Sequence, residues 1–255
     1  MQKGFNSALV ARTMLCYSLV FDSLGKHLER RRLLPKIPLE LVLELRDLRE
    51  TGVLEVAQPL IEEGAEVTAV KVAGPLSAAE EEDFERLAVL ADELGAPYMV
   101  VPVGAADSGK LATQLAGLFR VAAVYAKKVA LEPSRSVLPE LDGRLSSFLG
   151  GVFKYAVSPE PGCTTEDFLE LALSHFGQLT LVKLVSFASG GGAARVTSAE
   201  GLNVFAVVGE LIERGYDGLF VLSYEPHGLF LPSHAVREDV ELLLHYARSV
   251  AGRVA

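Results

Sequence analysis

The chain has 255 residues, of which 50% are hydrophobic and 22% charged, with a net charge of −9 and a mean hydropathy of +0.30. That balance excludes an intrinsically disordered chain, which needs low hydrophobicity with excess charge. The acidic balance also argues against nucleic acid as a partner, because phosphate neutralisation needs a basic face.

Short β-rich runs alternate with longer helical runs along the chain. Met14 to Phe21 reads as a first strand. Pro38 is expected to open a helix through Glu50, with Leu41, Leu45 and Leu48 on one stripe and Thr51-Gly52 closing it. Val53 to Ala57 reads as a second strand and Glu66 to Ala73 as a third. Ser77, with Glu80 three residues on, has the capping-box spacing for the helix that carries Phe84, Leu87, Leu90, Ala91 and Leu94. Further strands are expected at Tyr98–Val103, Val129–Glu132, Val152–Ser158, Leu179–Phe187 and Gly218–Tyr224. Helices are expected at Ser108–Lys127, Leu138–Leu149, Thr165–Phe176, Ser198–Arg214 and Ser233–Val250.

Eight strands separated by helices call for a parallel sheet, since parallel neighbours need a crossover. The number of units and the length predict a single-domain (β/α)8 barrel over residues 1–255, with an open doubly wound sheet as the alternative. No G-x-G-x-x-G follows the first strand, which counts against a dinucleotide fold.

Two cysteines, Cys16 and Cys163, cannot build a disulfide framework. No leader sequence and no window of about 20 apolar residues is visible, so a cytoplasmic protein with no membrane partner is expected. Only two asparagines (Asn6 and Asn203) and four glutamines occur, a composition that suggests a thermophilic source.

In a barrel of this kind the chemistry sits at the C-terminal ends of the strands. The polar residues there are Glu132, Ser158, Lys183 with Ser186, and Ser223 with Glu225. Period-two alternation puts Glu132 on one face with Ala130, Lys183 with Leu181 and Val185, and Ser223 with Glu225. The loop Ser189 to Arg195 (SGGGAAR) reads either as an anion cradle or as a simple spacer. As a cradle, Gly191 and Gly192 would admit the backbone to a phosphate and Arg195 would grip it. The basic segment Gly25 to Pro38 reads as a solvated loop or as an anion-binding lid. His227 and His234 flank the last loop as exposed residues or as ligands. No G-x-S-x-G turn or Ser-His-Asp order supports a hydrolase.

Three segments carry a family resemblance: Gly215 to Leu243 (GYDGLFVLSYEPHGLFLPSHAVREDVELL), Glu50 to Gln58 (ETGVLEVAQ) and Val129 to Pro133 (VALEP). Together they resemble the xylose isomerase-like TIM barrels, which include sugar-phosphate isomerases and epimerases and one type of AP endonuclease. The resemblance implies an acidic position at Glu55 and a divalent-metal set of Glu, Asp, His and Glu at the ends of strands five to eight. Of that set this chain keeps Glu132; Ser158, Lys183 and Ser223 stand at the other three places. An ammonium has no lone pair to donate, so no metal cofactor is expected. Glu160 and Glu225, each two residues further on, could form a displaced carboxylate cluster or be solvated loop residues.

Alternatively Lys183 stands in for the metal, as a charge stabiliser or a Schiff-base nucleophile, or forms a chemically inert ion pair with Glu132. Lys71 and Lys154 are further buried-lysine candidates. Two functions follow. One is a divergent sugar or sugar-phosphate isomerase/epimerase with Glu132, Lys183 and Glu225 catalytic and with Ser158, Ser223, Arg195, Gly191 and Gly192 binding a small, phosphorylated substrate. The other is a non-catalytic barrel that binds a small molecule or a partner. A homo-oligomer is compatible with both. Abasic-site cleavage fits neither the charge nor the missing ligands.

Overall fold

The computed structural model describes residues 15–20, 24, 36–74, 76–104, 111–138, 141–142, 153–185, 195–198, 202–224 and 233–254. Eight strands run in sequence order around a closed, parallel barrel: β1 (Leu15–Val20), β2 (Leu39–Glu44), β3 (Val67–Ala73), β4 (Tyr98–Val103), β5 (Lys128–Pro133), β6 (Lys154–Val157), β7 (Leu179–Val185) and β8 (Leu219–Ser223). Seven helices occur among the described residues: α1 (Leu45–Glu50), α2 (Val53–Glu62), α3 (Glu81–Glu93), α4 (Leu111–Val124), α5 (Thr165–Ser174), α6 (Val204–Glu213) and α7 (Ser233–Val254). This is the (β/α)8 fold. No helix among the described residues is long and apolar enough to cross a membrane.

The second β/α unit differs from the sequence expectation. Residues 39–44 form β2 where a helix was expected, and Val53–Glu62 is helical where a strand was expected. In LELVLE the leucines at 39, 41 and 43 alternate with Glu40, Val42 and Glu44, which is strand periodicity. The leucine spacing 41, 45, 48 joins a strand residue to two residues of the short helix that follows it. In α2 the buried residues are Val56, Ala57 and Leu60, a helical stripe. Glu55 turns back within that helix, its carboxylate accepting from the backbone N–H of Gly52 at 3.3 Å. Glu55 is thus a helix N-terminal residue, which removes it from any strand-end site.

Helix α3 also begins later than expected. Ser77 lies in a 3-10 turn (Leu76–Ala78), and the cap is at Glu80, whose N–H donates to Asp83 at 2.8 Å. Thr164 caps α5 reciprocally with Asp167, and Asn203 caps α6 through Ala206 N–H at 3.1 Å. Gly218 leads into β8 where a Cβ would lie 2.5 Å from the Thr180 carbonyl oxygen, so only glycine lets these backbones approach. Most of the expected helix 138–149 and of the basic segment 25–38 lies outside the described residues.

The described residues group into two compact units, one drawn from 15–18, 24, 36–38 and 157–254 and the other from 19–20 and 39–156. In the first, Val182, Leu184, Phe220 and Leu222 pack against Phe168, Val204, Val207, Val208, Leu211, Val236 and Val240 of the helices. In the second, Val72 and Val101 line one small cavity together with Phe84 and Leu87 of α3. These contacts fix which strand faces meet helices and which face inward.

Candidate functional site

In the unit built on β2 to β6, the inward face follows from the register. Val42 pairs with Lys71, Lys71 with Val100, Val100 with Ala130 and Ala130 with Lys154. Glu132 lies one step towards the C-terminal end on the same face, opposite Pro102. The long side chain of Lys71 spans β4, and its Nζ meets Glu132 Oε2 at 2.7 Å. The two side chains are only 13% and 10% exposed. Glu40, on the same face of β2, is fully buried. Apolar neighbours flank the lysine on both sides, since Val42 and Val100 are fully buried.

Glu132 was expected from the sequence at this strand end. Within its own unit Glu132 meets the ammonium of Lys71, one of the further lysine candidates of the sequence. Glu40 escaped notice because residues 38–50 read as helix. The alternation in LELVLE was the available signal.

In the other unit, Lys183 pairs with Val221 and Val221 with Cys16, so these three share a row on the inward face. Lys183 is 2% exposed and Cys16 is fully buried. One step towards the mouth, Val185 pairs with Ser223, the last residue of β8, also buried. Ser18 of β1 lies on this face as well and is buried. Ser158 directly follows β6 and is half-buried. Glu160 is exposed and sits in a turn, its carbonyl accepting from Cys163 N–H at 3.0 Å. Ser186, Gly191, Gly192, Glu225 and His227 lie outside the described residues, and His234 is exposed in the first turn of α7.

Arg195 is held by carboxylates of its own chain. Its Nε donates to Asp239 at 2.9 Å, its Nη1 to Glu238 at 2.8 Å, and its Nη2 lies 2.9 Å from Asp239. Asp239 is fully buried and also accepts from Val196 N–H at 2.9 Å, from the Thr197 hydroxyl at 2.5 Å and from the Tyr224 hydroxyl at 3.0 Å. Burial and then the Asp239 charge push the Tyr224 phenol well above its ordinary value. The Asp239 hydrogen bond likewise raises the Arg195 guanidinium. Nothing at sequence level singled out Asp239, which reads as one acidic residue among several on an amphipathic helix.

A divalent ion needs several oxygen or nitrogen donors converging at about 2.0–2.6 Å. Glu132 already faces an ammonium, and no group of three or more His, Cys, Asp or Glu converges among the described residues. Among those residues the donor set does not fit a divalent ion at Glu132.

No family model matches the sequence, and no curated protein matches it. Solved structures do match. A xylose isomerase domain protein from Planctomyces limnophilus superposes with a TM-score of 0.66 at 12% identity, covering 94% of this chain and 98% of that one. The fold is that of the xylose isomerase-like TIM barrels. A D-tagatose 3-epimerase-like protein matches at TM-score 0.64 and 16% identity, covering 94% and 99% of the two chains. A xylose isomerase-like TIM barrel protein from Mycobacterium smegmatis, in complex with magnesium, matches at 0.61 and 14% identity over 89% of each chain. At such identities the likeness to xylose isomerase-like barrels is one of fold, and the chemistry has to be argued from this chain's own residues.

Proposed function

We propose that this barrel is a sugar or sugar-phosphate isomerase/epimerase in which an ammonium does the electrostatic work that a divalent ion would otherwise do. The observation that carries the reading is the 2.7 Å contact between Lys71 and Glu132, nearly buried at the C-terminal end of β5. The isomerase- and epimerase-like names among the structural neighbours support the substrate class.

In such a reaction Glu132 takes the proton from the carbon next to the substrate carbonyl. Negative charge then develops on the carbonyl oxygen, and Lys71 donates a hydrogen bond to it. Delivery of a proton to the opposite face by a donor other than Glu132 inverts the centre; returning the proton to the neighbouring carbon, while the hydroxyl proton passes to the former carbonyl oxygen, moves the carbonyl. Low exposure strengthens both interactions by excluding water.

Lys183, Ser158 and Ser223 are assigned to substrate hydroxyls within their own unit, and Lys183 adds positive charge there. The parts proposed for Glu225, Gly191, Gly192 and Arg195 rest on the sequence alone. For Arg195 that part requires an anion to share a guanidinium already held by Asp239 and Glu238. A second reading, binding without turnover, is favoured by the same ion pair, since a carboxylate neutralised by its neighbour can be inert.

The deciding measurement is proton NMR in D2O with a panel of ketohexoses, pentoses and their phosphates. Wild-type protein is expected to wash deuterium into the carbon next to the carbonyl, and Glu132→Gln to stop it. Ligand-induced thermal stabilisation with no exchange from any substrate would establish the binding reading instead.

A further inference from the structure

The Lys71–Glu132 pair can support a covalent chemistry that the proton-transfer reading does not use. We infer that Lys71 condenses with open-chain α-hydroxy aldehydes and ketones to form imines, with Glu132 carrying the protons. The inference rests on the same pair of residues as the isomerase reading and on a different reaction of them.

Three features point to it. First, Lys71 Nζ lies 2.7 Å from a carboxylate oxygen, so a proton can pass between them without a water relay. Second, both groups are shielded from water but not sealed, at 13% and 10% exposed. Passing one proton across that contact from nitrogen to oxygen leaves an uncharged amine beside a carboxylic acid. The neutral amine that results is the nucleophile. Third, the strand neighbours of Lys71 on its face, Val42 and Val100, are apolar and fully buried. A dry flank slows hydrolysis of the imine once it has formed.

The steps balance. The amine lone pair attacks the carbonyl carbon, a C–N bond forms, and the C=O π pair moves onto oxygen. Glu132, now a carboxylic acid, protonates that oxygen and then takes a proton from nitrogen. It protonates the hydroxyl a second time as water leaves. The sum is ammonium plus carbonyl giving protonated imine plus water, with Glu132 again a carboxylate. No oxidant or reductant takes part.

The test is reductive trapping. Wild-type protein is incubated with glycolaldehyde or dihydroxyacetone and cyanoborohydride, and adducts are mapped by peptide mass spectrometry. Lys128, exposed at the start of β5, is the internal reference. Lys71 is expected to label faster than Lys128 by about a hundredfold, the low end of what a placed acid–base group supplies. Glu132→Gln is expected to bring the two rates together. Labelling of Lys71 no faster than Lys128 in the wild type overturns the inference, and needs no variant to fold. Labelling of Lys71 that is unchanged in a folded Glu132→Gln protein overturns it equally. Deuterium exchange without reductant is read on the same samples, so exchange without trapping sinks the imine and leaves the isomerase reading standing.

Discussion

At the scale of single residues, Asp239 is the carboxylate on which several donors of its unit converge. It is fully buried and receives hydrogen bonds from Arg195, Val196, Thr197 and Tyr224. Removing its charge leaves those donors aimed at an amide that can satisfy fewer of them. Asp239→Asn is therefore expected to cost about 3–5 kcal/mol in urea denaturation, the usual range for breaking a buried pair. Tyr224→Phe removes one hydrogen bond and is expected to cost about 1 kcal/mol. Glu238→Gln removes only the exposed half of the Arg195 fork and should stay within about 0.5 kcal/mol of wild type. Equal losses for Asp239→Asn and Glu238→Gln would show that the buried carboxylate is not the anchor. Residue-level reading of the sequence located Glu132 and the inward faces of Lys183 and Ser223, because alternation along a strand is local. It could not foresee Lys71 as a partner of Glu132, since 61 positions of chain separate them and only the strand register brings them together. Arg195 stood out as a cation beside a glycine run, but its partners Glu238 and Asp239 come from α7.

At the scale of elements, the error over residues 38–57 and the match of the other described strands have one cause. The remaining strands are apolar runs rich in Val and Leu, a pattern that marks a buried parallel strand. β2 instead alternates Leu with Glu40, Val42 and Glu44, two of the three polar, and it passes without a break into α1. The tie that fixes α1 is Arg49, which grips Asp83 of α3 through two bonds at 2.8 and 2.6 Å and the Ala78 carbonyl at 3.0 Å. Burial opposes ionisation of Asp83, but the Arg49 hydrogen bond, the Glu80 N–H and the Arg49 charge outweigh it and hold its carboxyl below the ordinary 3.8. A carboxyl lowered in the folded state contributes stability above its unfolded value and loses it as pH falls through the folded one. The stability difference between wild type and Arg49→Met should thus be constant above ~pH 5 and shrink below pH 3.8. Urea midpoints measured for both proteins across that range check it, and a gap that is independent of pH down to the acid transition would exclude an ionic origin.

At the scale of the whole molecule, the acidic residues behind the net charge of −9 include both helix-surface and inward-facing ones among the described residues. Glu81 and Glu82 of α3 are exposed on the helix surface, whereas the inward-facing carboxylate at the end of β5 is matched by an ammonium. A barrel whose function depends on a tightly held divalent ion must respond to that ion as a whole, because ligand binding to the native state alone adds RT ln(1 + [L]/Kd) to its stability. At a hundredfold excess over Kd that is about 2.7 kcal/mol. For a chain of this size each kcal/mol raises Tm by roughly 2–4 °C, so a resident ion would move the melt by about 5–10 °C. With Lys71 neutralising Glu132, wild-type protein treated with EDTA and then with excess Mg2+, Mn2+ or Zn2+ is expected to melt within ~1 °C of the chelated sample, since the linkage term vanishes when [L] is far below Kd. Lys71→Met removes the ammonium that faces Glu132 at 2.7 Å, so it should lose stability in the absence of metal and become the more metal-responsive of the two proteins. A wild-type shift of several degrees with one divalent ion bound per chain would overturn the replacement of metal by ammonium, and would mean that this ion finds its ligands among residues other than those described around β5.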